Sequence, residues 1–356
     1  MNQSGNELVT IRGREIGPGQ PVYIIAEVSA NHNHDFSQTV ELLKAAKHAG
    51  ADAVKLQTYT PDTLTLALDN EPFRIGQGSP WSGRLLHELY QEAAMPWEWQ
   101  PKLKAIADHL DLTLFSSAFD PSAVDFLEEM DVPAHKVASF EIVDIPLIQK
   151  MARTGKPLII STGMATFSEI EEAMLAARAA GATQLALLKC TSAYPAPPDE
   201  MHLRTIPHAM DAFRVPVGLS DHTLGIAVPV AAVALGACIV EKHFTLSRAD
   251  VGPDSTFSLE PHEFRTMVDA MRTIEPAIGH VHYGACEHEA QSRELRRSLF
   301  VVQDIKKGEL FTYENIRSIR PGQGLHPRHL DEVIGHHAKY DVACGTPLQW
   351  AMVGKK

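Results

Sequence analysis

The sequence predicts an α/β fold: a (β/α)8 barrel of the TIM type followed by a small β-rich domain. Three observations predict it. Short apolar runs alternate with helical segments eight times between residues 20 and 278. Most of these runs stop at a polar cluster, and a parallel barrel builds its working face at the C-terminal ends of its strands. No GxGxxG follows any run, which disfavours the alternative of an open, doubly wound dinucleotide-binding sheet.

Each element follows from the local pattern. Residues 1–20 read as a cap or hairpin ahead of the core. The run 22–28, VYIIAEV, is the first barrel strand, and SANHNHD leads from it into a helix over 36–48 that Gly50 ends. AVKLQ at 53–57 is the second strand. Residues 58–95 break the rhythm; they are too long for an ordinary connection and read as a lid or binding loop. Four helix-strand pairs follow, with strands ending near Phe115, Ala138, Ile160 and Leu188. The seventh strand ends at Ser220 and the eighth near His243. A small-residue helix lies between them, so both ends face the same way. The barrel is assigned to 1–278 and a polar linker to 279–295. A separate domain at 296–356 reads as short strands with Gly turns, GTPLQWAMV among them.

Composition narrows the function. Hydrophobic residues make up 44% and charged residues 21%, as in an ordinary globular enzyme. The net charge of −12 argues against nucleic acid or an anionic membrane as a broad partner. No apolar run is long enough to span a bilayer, and the N-terminus has no secretion-type apolar core. The four cysteines show no CxxC spacing and read as reduced thiols. A cytoplasmic location is expected.

The strand ends carry the chemistry. His222 and His243 close two neighbouring strands, where neutral imidazoles are expected to share a divalent ion rather than each satisfy a backbone group; their spacing does not choose among Mn²⁺, Co²⁺, Zn²⁺ and Mg²⁺. Lys55, Lys136 and Lys189 are expected to point into one mouth, with Ser117, Ser139, Ser161 and Ser220 as hydroxyl donors. That collection suits a phosphate. Glu27 ends the first strand as a candidate base, and Asp254 is a candidate for binding hydroxyls. Tyr194 offers a ring to the pocket. Cys190 reads as a small buried residue, and His32 and His34 as loop hydrogen-bonding groups.

AEVSANHN, DAVKLQTY, KVASFE, STGM, KCTSAYP, GLSDHT, EKHF and GPDS follow one another as in the sialic acid (nonulosonic acid) synthase family, and RPGQG lies in a tail that resembles its antifreeze-like, or SAF, domain. The resemblance covers nearly the whole chain. It implies condensation of phosphoenolpyruvate with an N-acylated amino sugar by a homodimer in which the tail of one chain closes the barrel of the other. It implies Mn²⁺, or else Co²⁺ or Mg²⁺, on His222 and His243. Phosphoenolpyruvate contacts are implied for Lys55, Ser117, Lys136, Ser139, Ser161, Ser192 and Ser220, and a place facing the sugar for Glu27, Gln57, Tyr194 and Asp254. Arg320 is implied to bind the sugar's acyl group in the partner's site. SFEIVDIPLI and LQTYTPDT look like the pseudaminic acid branch, whose acceptor is 2,4-diacetamido-2,4,6-trideoxy-L-altrose. The neuraminic acid branch more often carries Gly at the positions of Phe140 and His34, and the neuraminic and legionaminic acid synthases are the nearby alternatives. Two readings of other classes remain: a metal-dependent barrel aldolase or isomerase, and a non-catalytic carbohydrate-binding protein.

Overall fold

A computed structural model describes residues 8–77, 81–250 and 252–356. The chain divides into two compact units, Met1–Gly279 and His280–Lys356.

The first unit is a closed barrel of eight parallel strands. The expected cap is a hairpin of β1 (Val9–Ile11) and β2 (Arg14–Ile16); residues 1–7 of that stretch lie outside the described residues. The barrel strands are β3 (Tyr23–Glu27), β4 (Ala53–Thr58), β5 (Thr113–Ala118), β6 (His135–Val137), β7 (Leu158–Ser161), β8 (Leu185–Cys190), β9 (Val217–Asp221) and β10 (Ile239–His243). They pair in chain order, and β10 closes the ring onto β3. The sequence left the segment between β8 and β9 without a helix; Thr205–Phe213 is helical there. Asp35, Asp120, Asp144 and Thr166 cap four of the outer helices through their side chains, each contributing about 1 kcal/mol.

Strand alternation sorts the side chains. Ile24, Ala26, Val54, Leu56 and Leu114 pack outward against helix residues such as Leu42, Leu103 and Phe264. Tyr23, Ile25, Ala53 and Phe115 belong to the inner core, together with Val9, Ile11 and Ile16 of the hairpin. Thr10 N also donates to the side chain of Gln184, just before β8, so the hairpin plugs the N-terminal end. Toward the other end the same inward phase turns polar: Ile25 is followed by Glu27, Phe115 by Ser117, and Ile239 by Glu241 and His243. Gly218 is required in this packing, because a Cβ there would stand 2.3 Å from Ile239 O.

The second unit has its own core around Leu299, Val301, Phe311, Ile316 and Leu348. Its regular pairing is one antiparallel ladder, β11 (Ser298–Val301) with β12 (Ile316–Ile319). The expected strand in GTPLQWAMV forms only isolated bridges at Pro347 and Val353. Pro347 has no N–H to give a ladder, and Trp350–Met352 turns into a 3-10 helix. The residues read as a linker are exposed and carry a short helix, Ala290–Glu294.

Candidate active site

Register brings the predicted residues together at the C-terminal end of the barrel. His243 pairs with Glu27, and Glu27 with Lys55. Gln57 pairs with Ser117, and Ser117 with Lys136. At the centre Lys55 Nζ lies 2.7 Å from Glu27 Oε2 and 3.4 Å from Glu241 Oε1, and it donates to Ser117 Oγ at 3.2 Å. Ser220 Oγ donates to the same Glu241 oxygen at 3.1 Å. Gln57 Nε2 ties Glu27 to Ser29, at 3.2 and 2.9 Å.

Burial and charge set the protonation of this cluster. Burial pushes the Glu27 carboxyl up to about 7, against the opposing pull of Lys55. Burial also acts to raise Glu241, but Lys136 and Lys55 outweigh it and hold that carboxyl below its ordinary value. Burial opposes charge on Lys55; Glu241 and Glu27 overcome it and raise the ammonium. Two carboxylates that share one lysine are thus pushed apart, and the one placed near 7 is suited to proton transfer.

Lys136 differs. It is 1% exposed and donates to Ser161 Oγ at 2.6 Å and to Val137 O at 3.0 Å. It forms no ion pair among the described residues, and burial lowers it to about 8. A buried ammonium held by neutral oxygens is a ready anion site.

The imidazoles sit together, with His222 and His243 ring centroids 5.3 Å apart. His222 Nδ1 donates to Thr191 O at 3.0 Å, which leaves Nε2 available. His243 Nδ1 is buried without a hydrogen bond, 3.9 Å from Asp254 Oδ2, and burial keeps this ring well below the ordinary histidine value. Asp254 Oδ2 accepts from Ala30 N at 3.4 Å. The Tyr194 ring lies 4.3 Å from that of His222. Ser139 accepts from Gly163 N at 3.2 Å, and Ser192 Oγ is 3.6 Å from Cys190 Sγ. Gly163 permits this approach, since a Cβ would meet Ser192 Oγ at 2.2 Å and Ser139 Oγ at 2.7 Å.

Above the cluster opens a cavity of about 690 Å³, lined by Gln57, Ser139, Glu141, Ser192, Tyr194, His243 and Asp254 among others. Lys55, Lys136, Glu27 and Glu241 are not in its lining; they are buried and bonded to neighbouring strand residues.

One sequence expectation needs correction. Lys189 does not join the charged cluster: its ammonium donates to Cys190 O and Thr191 Oγ1. Alternation explains why. Cys190 faces inward, with Sγ 3.8 Å from His222 Nδ1, so its neighbour on β8 faces away. Cys190 is buried, as expected, and lies beside His222. Arg320 lies exposed in the second unit, after β12 and before a cis proline, Pro321.

Two residues were missed. Glu241 lies two positions before His243, and strand period alone puts both on one face. Glu141 lines the cavity, has a buried oxygen without a partner, and is raised to about 7, chiefly by burial. It follows Ser139 in KVASFE, the motif that carried Lys136 and Ser139.

Fold and site together define a (β/α)8 barrel whose strand ends carry a buried ion-pair cluster, a buried lysine held by neutral oxygens and a pair of imidazoles. The chain belongs to the NeuB family, whose model matches residues 42–283, and a SAF domain matches residues 296–354. It is 44% identical over 330 residues to the pseudaminic acid synthase of Helicobacter pylori, covering 92% of this chain and 97% of that one. The N,N'-diacetyllegionaminic acid synthase of Legionella pneumophila is 35% identical, with 94% and 95% covered. Among solved structures, the N-acetylneuraminic acid synthetase of Leptospira borgpetersenii in complex with citrate superposes with a TM-score of 0.73 at 29% identity, covering 82% of this chain and 96% of that one.

Anion binding at Lys136 should depend on pH in a set direction. An ammonium exists below its pKa, so charge is lost as pH rises through about 8. Glu241, Lys55, Cys190 and Glu27 are the charged neighbours that tune it. Calorimetric titration with phosphoenolpyruvate should show affinity falling as pH rises above that point, approaching about tenfold per pH unit. Lys136→Met should weaken binding by roughly 10–100-fold and remove the fall above that point. Equal affinity at pH values well below and well above 8 would remove Lys136 from the anion site.

Proposed function

We propose that this protein is a pseudaminic acid synthase, which condenses phosphoenolpyruvate with 2,4-diacetamido-2,4,6-trideoxy-L-altrose and releases phosphate by C–O cleavage. The observation that carries the reading is the 44% identity to the Helicobacter pylori enzyme across nearly the whole chain. The buried cluster supplies matching chemistry. Lys136 and Lys55, with Ser117, Ser139, Ser161, Ser192 and Ser220, hold the phosphate and carboxylate. Gln57, Tyr194 and Asp254 face the open-chain sugar above them.

Carbon 3 of phosphoenolpyruvate attacks the sugar aldehyde, and the electron pair of the broken C=O bond becomes an alkoxide that takes a proton. Carbon 2 is left as an oxocarbenium. Water adds there and gives a proton to Glu27, whose carboxyl sits near neutrality. The bond between carbon 2 and the bridging oxygen then breaks with its electron pair leaving on phosphate, while the new hydroxyl on carbon 2 gives its proton to the departing phosphate and becomes the ketone. Glu141, at the cavity wall with its carboxyl raised to about 7, is the acid that supplies the proton taken by the alkoxide.

His222 and His243 fit a divalent ion, with Mn²⁺ first and Co²⁺ or Mg²⁺ as alternatives. His243 Nδ1 is buried without a partner, and Thr191 O fixes the His222 ring as a supporting carbonyl fixes a ligating imidazole. Among the described residues no group of three or more His, Cys, Asp or Glu is arranged to hold a metal ion, so an ion on these two imidazoles would need substrate or water oxygens for its remaining positions. When bound, such an ion supplies Lewis acidity toward a carbonyl oxygen.

No helix of the described residues is long and apolar enough to cross a membrane. The described cysteines are all free thiols, and the place of work we propose is the cytoplasm. The assembly we propose is a domain-swapped homodimer in which Arg320 of a second copy binds the acyl group of the sugar.

Phosphate release should be fastest with the L-altro diacetamido acceptor when gluco- and manno-configured sugars are offered alongside. Phosphoenolpyruvate labelled with ¹⁸O in the bridge should pass that label to phosphate. Turnover of N-acetylmannosamine alone would overturn the branch, and label retained in the sugar acid would overturn the cleavage.

His222→Ala and His243→Ala should each lose bound Mn²⁺ by elemental analysis and keep the circular dichroism of the parent. Activity should fall by more than the roughly 10–100-fold that loss of a supporting contact costs. Full metal content in both variants would end the assignment.

Arg320→Ala should raise the acceptor KM at least about tenfold, as loss of a charge-assisted hydrogen bond does, and leave the phosphoenolpyruvate KM unchanged. Unchanged kinetics for both substrates would free the tail from that role.

A further inference from the structure

The cavity above the charged cluster has two kinds of wall. One side is polar, with Gln57, Glu141 and Asp254. The rest is largely apolar: Leu64, Ile75, Leu86, Leu89 and Tyr90 all come from the inserted segment after β4, and Phe140 comes from the loop after β6. Residues 78–80 of that insertion lie outside the described residues.

The insertion is fastened to the barrel. His34 Nε2 lies 2.8 Å from Glu92 O and His32 Nε2 3.2 Å from Ala93 O, so two imidazoles hold the C-terminal carbonyls of helix Leu86–Ala93. Trp97 Nε1 donates to Tyr59 O at 3.0 Å and pins the start of the segment. The apolar wall is therefore a built surface.

Phe140 stands out. It is 61% exposed, yet it sits between Ser139 and Glu141, both of which line the cavity. Phe140 lines the same cavity as the apolar residues of the insertion, so its ring adds to one apolar surface facing the polar groups.

We propose that Phe140 and the insertion wall select the acceptor by its methyl groups. The inference rests on the synthase reading above and deepens it. A 2,4-diacetamido-2,4,6-trideoxy hexose carries three methyls: two on the acetamido groups and one at carbon 6. N-acetylmannosamine carries one, and has hydroxyls at carbons 4 and 6. Side chains such as Leu64, Ile75, Leu86 and Leu89 offer no hydrogen bond to a hydroxyl placed against them. They gain from each methyl they cover. One small apolar group in such a pocket is worth roughly 10–200-fold in kcat/KM.

The test compares acceptors within each variant. Phe140→Ser and Ile75→Ser should each lower the preference for the trideoxy acceptor over N-acetylmannosamine at least about tenfold, through acceptor KM, with the phosphoenolpyruvate KM unchanged. Phe140→Leu should keep most of the preference, because it keeps an apolar surface. Phe140 is exposed, so its substitution does not threaten the fold. Sedimentation of each variant checks the other occupant of an exposed ring, a second copy of the chain. A variant that loses the dimer and keeps the acceptor ratio would overturn the proposal. So would an equal loss on both acceptors. If the parent protein uses only N-acetylmannosamine, the function reading fails and takes this assignment with it; if the parent prefers the trideoxy sugar and the serine variants still do, the wall alone is refuted.

Discussion

The site is organised by one buried ion-pair cluster, Lys55 between Glu27 and Glu241. All three groups are almost fully out of water. Removing one partner of such a cluster leaves an uncompensated charge and costs about 3–5 kcal/mol. The cluster is tolerable only where rigid strands deliver every partner in register. The barrel does this: Glu27 pairs with Lys55 across β3 and β4, while Ser220 pairs with Glu241 across β9 and β10. A closed ring of strands brings positions far apart in sequence into one small polar layer. The hairpin plug and the apolar layer beneath keep water from the other end.

This explains which parts of the molecule were legible in the sequence. Strands reveal themselves as apolar runs, and a parallel barrel puts its chemistry where those runs end. Glu27, Lys55, Lys136, Ser161, His222 and His243 were found that way. What such reading lacks is phase. Lys189 ends an apolar run as Lys55 does, yet it faces away, because Cys190 takes the inward position on β8. The same oversight hid Glu241, which shares the phase of His243. Periodicity anchored on one secure residue per strand would have settled both.

The second unit was harder to read. Its core is made by short segments that meet through single bridges, and only β11 and β12 form a ladder. Glycine and proline break the alternation before a strand pattern can build up. Thr205–Phe213 was missed for a related reason: its apolar face follows a long proline-rich stretch that carries no rhythm. The role given to Arg320 came from resemblance alone, and no periodicity bears on it.

The site also separates two demands on an enzyme of this kind. The charged layer lies in the strands, and a change there disturbs groups that depend on one another. The wall of the cavity is carried by the insertion and by the turn that begins at Ser139, where side chains such as Phe140 and Ile75 are only partly buried. Substituting a half-exposed apolar residue alters a surface without stranding a charge, and its cost to stability is small. Relatives 35% identical to this chain carry the name of a different synthase. A barrel that keeps its reacting groups in the sheet and its recognition surface on loops can change one without losing the other.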